Sequence, residues 1–201
     1  MFGVILKDLK NVKGQLLYYA VVVSVFFAIG LFLKNIYFYL GAIVFVAAVL
    51  PISALAYDEK DNWDKFALAA GVKRIQLVFA RYILGVIPFI PLFAFGFLFL
   101  VLPSLRNIET LSSLFVFGGI GFLALAAVMP TAFRFGVEKA RAAYTVILAC
   151  ALALSVGISL LFARFGEMSS LTAAIVTFSI GIVGVIVSIY FSAKIYETKD
   201  F

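Results

Sequence analysis

The chain has 201 residues, 65% of them hydrophobic, and a mean hydropathy of +1.18, well beyond the roughly 45–50% apolar content of soluble domains. Its 16 Lys and Arg and 10 Asp and Glu give a net charge of +6, but they sit in short segments between apolar runs, so no nucleic-acid partner is expected. Histidine is absent, which excludes histidine-based metal sites, general bases and proton relays, and a single cysteine, Cys150, excludes a disulfide framework.

In chain order, residues 1–15 come first. Phe2, Ile5, Leu6, Leu9 and Val12 are apolar and Lys7, Lys10 and Lys13 basic, the pattern of an amphipathic helix lying in a membrane interface with lipid as its partner. Six stretches without a charged residue follow: Leu16–Leu33, Ile36–Ala56, Tyr82–Leu102, Ser112–Phe133, Ala142–Ala163 and Leu171–Ala193. A bilayer core takes roughly 20 helical residues to cross, and backbone polar groups must pair internally there. The expected fold class is therefore all-α, a polytopic membrane protein with six transmembrane helices forming one domain over residues 1–201. The first stretch exceeds the usual 7–15 residues of a signal-peptide core and reads as a retained helix.

The basic residues set the expected orientation. Thirteen fall on one side of the six spans and three, Lys34, Arg106 and Arg164, on the other. The positive-inside rule then places both termini and the two longer inner connections in the cytoplasm. Tyrosines are expected to form interfacial belts: Tyr18, Tyr19, Tyr57, Tyr82, Tyr144, Tyr190 and Tyr196 on the inner side, Tyr37 and Tyr39 on the outer. The outer connections, Lys34–Asn35, Pro103–Leu111 and Arg164–Ser170, are short.

Residues 57–81 form the largest polar piece. Asp61 is a candidate N-cap, with Asp64 three residues on. Trp63, Phe66, Ala67 and Ala70 then recur at helical spacing, and Gly71 supplies a left-handed stop. The apolar face of this short helix suits either lipid or a partner protein. Its acidic cluster, Asp58, Glu59, Asp61 and Asp64, disfavours a negatively charged leaflet.

Span three carries Gly85, Pro88 and Pro91, and a kink or break near its inner half is expected. Span four carries Gly118, Gly119, Gly121 and Pro130, which suit either hinges or close packing. Ala149, Ala153 and Gly157 on span five, and Gly184 and Ser188 on span six, are small-residue stripes suited to packing within one subunit in preference to a dimer seam. Hydroxyls such as Ser24, Ser53, Thr131, Thr145 and Ser155 are the polar groups left to line a path. Such a lining suits amphipathic peptides or lipids better than ions or sugars, whose dehydration would go uncompensated.

The run AYDEKDNWDKFALAAGVKRIQLVFARYILG resembles permease subunits of the type-2 (ABC-2) family of ATP-binding-cassette exporters. The chain is most similar to their small six-span branch, which includes the phenol-soluble modulin exporters of Gram-positive bacteria. The features carrying the resemblance are Asp58-Glu59, Trp63 and the basic turn Lys73-Arg74, with FRFGVEKAR (residues 133–141) and the ending IYFSAKIYETKDF. One departure is the absence of a proline before the basic turn. The resemblance implies a multi-pass protein of a bacterial cytoplasmic membrane. It further implies a coupling helix between spans two and three that docks on an ATPase through Asp58, Glu59, Asn62, Trp63, Asp64 and Phe66. Arg134, Glu138, Lys139 and Arg141 would form a secondary contact, and a second permease, identical or related, would complete the path. Gly85, Pro88, Pro91 and Pro130 would be hinge candidates.

Two absences agree with that division of labour. The sequence contains no GxxxxGK[ST] phosphate loop, so no cofactor is expected in this chain, and ATP with magnesium belongs to the partner. The apolar runs hold no ionisable residue of the kind ion-coupled transporters place near the midplane. The expected role is a non-catalytic permease subunit of an exporter of amphipathic or antimicrobial-type peptides. The alternative is a membrane immunity or assembly protein that only binds a partner.

Overall fold

The computed structural model describes residues 2–101, 108–164 and 170–199. The connections 103–111 and 164–170, expected on the outer side, fall mostly outside the described residues, as does Arg106. Among the described residues every regular element is a helix: α1 (Phe2–Asn11), α2 (Lys13–Phe32), α3 (Tyr37–Asp61), α4 (Trp63–Ala69), α5 (Arg74–Val86), α6 (Phe89–Val101), α7 (Ile108–Phe135), α8 (Val137–Arg164) and α9 (Ser170–Glu197). Six segments are long and apolar enough to cross a membrane: α2, α3, Arg74–Ala94 (α5 running into α6), α7, Val137–Gly157 of α8 and Leu171–Glu197 of α9.

The helices extend beyond the charge-free runs. α3 continues to Asp61 and α5 starts at Arg74, so residues 57–81 comprise the ends of two spans with α4 between them. Likewise α1 stops at Asn11 and joins α2 through Val12, which is fully buried.

The third span breaks where proline dictates. α5 ends at Val86 and α6 begins at Phe89, with Pro88 in the gap. Pro91 is the third residue of α6, where a missing N–H leaves no intrahelical bond unmade. The Tyr39 hydroxyl donates to the Pro91 carbonyl, fixing the break against α3. Pro130, by contrast, lies inside an α7 that continues to Phe135.

α3 is the central span and α2 the peripheral one: 72% of the most apolar stretch of α3 is buried, against 6% for α2. The tightest crossing joins α7 to α9. A Cβ added at Gly119 would lie 2.8 Å from the Thr177 carbonyl, and one at Gly181 would lie 2.8 Å from the Gly119 carbonyl oxygen. Gly118 and Gly121 abut Phe178, Phe93 and Phe89. Around them Phe89 and Phe122 stack at 4.1 Å, and Phe178 sits edge-on to Phe93 and Phe115. The span-four glycines are thus contact points between helices.

Two expectations are corrected. The tyrosine belts are incomplete, because Tyr39, Tyr82, Tyr144 and Tyr196 turn inward and are buried. Tyr82, for example, hydrogen-bonds Ser188 at 2.5 Å and Ser192 at 2.8 Å on α9. Among the described residues the span-five stripe finds no packing partner: Ala149 and Ala153 are exposed, and a Cβ added at Gly157 meets no described atom within 4 Å. The span-six stripe does pack, with Ser188 donating to the Ala126 carbonyl at 2.5 Å.

Candidate coupling surface

The features singled out between spans two and three gather at one end of the bundle. Asn62, with φ of 50°, turns the chain from α3 into α4. Asparagine tolerates this left-handed conformation better than most residues. The helix start therefore lies at Asn62, one residue beyond the expected Asp61 cap. α4 ends on a Schellman arrangement, with Val72 N–H donating to the Ala67 carbonyl and Gly71 N–H to the Leu68 carbonyl, both at 3.0 Å. Gly71 takes φ of 85°, as the sequence requires of it.

Asp58 faces inward. Its carboxylate is buried in a cluster with Lys7, Asp8 and Arg81. The Arg81 guanidinium donates to Asp8 on one side and Asp58 on the other. Lys7 Nζ lies 2.5 Å from Asp58 Oδ1 and 2.9 Å from Asp8 Oδ1. The same ammonium lies 4.5 Å over the Trp63 ring, a cation–π contact. Burial pushes Lys7 below its ordinary pKa, with Asp8 opposing that shift. The two carboxylates keep such a desolvated cation in place.

Asp64 also faces inward, hydrogen-bonded by Tyr196 near the end of α9. Burial raises its pKa; Tyr196, Lys199 and Lys7 pull it back. Arg74 Nη1, in the basic turn, donates to the carbonyls of Tyr196 at 3.0 Å, Glu197, and Lys199 at 3.1 Å. That caps the C-terminus of α9 with a cation, where both the free carbonyls and the helix dipole favour one.

Glu59 reaches sideways. Its Oε2 accepts from Val137 N–H at 3.4 Å, at the first turn of α8, where a carboxylate is electrostatically favoured. Gly136, φ 86°, makes the α7–α8 turn alongside that carboxylate. The two inner segments expected to act together are therefore adjacent.

What remains outward on α4 is Lys65, Phe66 and Ala69, with its cap Asn62 exposed and Trp63 half-buried beside them, its ring 5.2 Å from that of Phe66. Phe66 is 63% exposed. Arg134, Glu138, Lys139 and Arg141 are all exposed. Arg134 lies over the Phe135 ring and, with Phe133, Ile195, Thr198 and Lys199, borders a hollow of about 350 Å³.

Lys7, Asp8, Arg81 and Tyr196 escaped the sequence reading. One signal was available: Val4, Asp8 and Val12 recur every four residues and are all buried, so a carboxylate sits in the middle of the inward stripe of α1 and demands a partner.

The sequence profile described as ABC-2 family transporter protein matches residues 3–197. The chain belongs to the ABC-2 transporter family. No curated protein and no solved structure matches it. This ABC-2 protein is thus a multi-pass membrane permease component of an ABC transporter, and its family implies partnership with an ABC ATPase subunit.

Proposed function

We propose that this permease moves amphipathic peptides outward across a bacterial cytoplasmic membrane, two permease subunits working with two ATPases that bind ATP and magnesium. In this reading both termini and α4 are cytoplasmic, as the thirteen-to-three distribution of basic residues favours. The carrying observation is Phe66: a large apolar ring exposed on a short helix whose other sides are tied to α1 and α9. An exposed aromatic on a rigid mount suits a pocket in a partner protein. Phe66, Asn62 and the outward edge of Trp63 meet the ATPase, with Arg134, Glu138, Lys139 and Arg141 as flanking contacts. Asp64 acts from behind by holding α4 to α9, Asp58 by holding Lys7 against Trp63, and Glu59 by joining the end of α3 to α8.

The substrate class rests on the lining. An apolar recess of about 240 Å³ lies beside the Pro88 break, bordered by Leu16, Tyr19, Ser24, Leu50, Pro88 and Pro91, and its lining carries no charged residue to pair with an ion. The outward stripe Ala149, Ala153 and Gly157 supports pairing with a second permease by close helix approach.

Co-purification with the co-expressed ATPase tests the docking surface. Phe66→Asp is expected to weaken the complex at least about 30-fold, the ~2 kcal/mol of a hot-spot residue. An undiminished complex would reject the assignment. Peptide efflux that persists without the permease would reject the substrate class, and ATPase binding without any efflux would favour a partner-binding protein that transports nothing.

A further inference from the structure

The buried ion cluster links three elements. Arg81 of α5 joins Asp8 of α1 to Asp58 of α3, and Lys7 of α1 touches both carboxylates. Two cations face two anions, so the cluster is neutral, and Asp8, Asp58 and Arg81 are each at most 2% exposed. α3 and α5 are the helices that flank α4 in the chain, and α1 is the third leg of the mount. The cluster ends on the face of Trp63, the first residue of α4, through Lys7. The opposite face of α1 presents Phe2, Leu6 and Lys10 outward, the combination an anionic membrane surface accepts.

A buried charge is tolerated only with its partners in good geometry, so the cluster forms as a unit or not at all. Undocking α1 would leave Asp58 and Arg81 with one partner fewer and strip the cation from Trp63. We propose that α1 is a positioning element for α4, in which Asp8 and Asp58, both fixed by Arg81, hold Lys7 against the indole and so fix where α4 stands. Asp8 and Arg81 are buried and act only through Lys7. The consequence for coupling rests on the docking role proposed above for α4; the contact with Trp63 does not.

Trp63 is the sole tryptophan of the chain, so its emission reports this junction directly. The test uses the full chain in nanodiscs of phosphatidylethanolamine and phosphatidylglycerol. Arg81→Lys preserves the neutral cluster but removes the planar fork that serves two carboxylates at once. It is expected to retain helical content while Trp63 emission shifts red and acrylamide quenching rises. Lys7→Gln is expected to do the same by removing the cation alone, and it carries the test if Arg81→Lys does not insert. Asp8→Glu, which keeps the charge, is expected to stay close to the parent, and Lys10→Met, on the outward face, to match it. Parental emission and quenching in the informative variants overturns the proposal, as does a shift of equal size in Lys10→Met. In the complex, Arg81→Lys is expected to keep the ATPase bound and lose the permease-dependent part of its turnover. A shifted Trp63 with full turnover leaves the positioning role standing and overturns the docking role of α4, so the two failures are distinct.

Discussion

The end of the bundle that carries α4 and the crossing of α7 with α9 are held by opposite means. At α4, charged and hydroxyl groups converge from α1, α3, α5, α8 and α9: the Lys7–Asp8–Asp58–Arg81 cluster, Asp64 with Tyr196, Arg74 on the α9 carbonyls, and Glu59 on α8. At the crossing, glycine lets backbones touch and phenylalanine fills the remainder. Polar contacts are directional and all-or-none. Small-residue contacts depend on shape alone, since lipid offers no hydrophobic drive for helices to associate. The first kind suits a part that must present one surface in one place, and the second suits spans that shift against each other while staying packed.

The largest expected effect comes from breaking the polar end. Arg81→Met leaves the buried Asp8 and Asp58 with Lys7 alone for two negative charges, and removing one partner of a buried pair costs ~3–5 kcal/mol. Thermal unfolding in detergent is expected to fall accordingly. A change within the scatter of ordinary surface substitutions, about 0.5 kcal/mol, would mean that the cluster is not a unit.

Sharpening the other side of the comparison needs two glycines. Gly119→Ala forces a methyl to 2.8 Å from a backbone carbonyl that has no side-chain freedom to yield, and overpacking of this kind costs ~1–3 kcal/mol. Gly184→Ala, also at the α7–α9 contact, meets only Leu123 and Ala126 at 3.6 and 3.7 Å. There the gain in helix propensity of about 1 kcal/mol dominates, and the variant is expected to unfold at a higher temperature than the parent. Effects of equal sign at both positions would show that contact distance does not control this interface.

The two regions also differ in how readily the sequence discloses them. The six spans are plain because lipid excludes charge over a fixed length, and the break in span three is plain because Pro88 cannot donate. Gly71 as a helix stop is equally local. The cluster is not, since Arg81 meets partners 23 and 73 residues away, and nothing in a run of acidic residues says which of them turns inward. Asp58 and Asp64 read as outward contacts because Asp and Glu are usually solvated; here Arg81 and Tyr196 supply partners from other helices. Tyr82 reads as an interfacial anchor for the same reason, its serine partners lying on α9.

The smallest effect isolates one contact of the polar end by pH. Burial holds the Asp64 carboxyl above its ordinary value of 3.8. In the window just above 3.8 the folded chain therefore keeps a proton that the unfolded chain has released. The folded state binds more protons there, so this group's contribution to stability falls as pH rises through the window and is flat beyond it. Asp64→Asn stays neutral throughout and still accepts from Tyr196, but its buried amide adds a constant cost if it finds no acceptor. The level of the difference is thus set by the amide, and its slope by the proton. Unfolding temperatures measured across that window are expected to shift in favour of the Asn variant as pH rises, with no further change above it. A difference that is flat, or that moves towards the parent, would mean that Tyr196 and Lys199 outweigh burial, and that Asp64 clamps α4 most firmly as an ion.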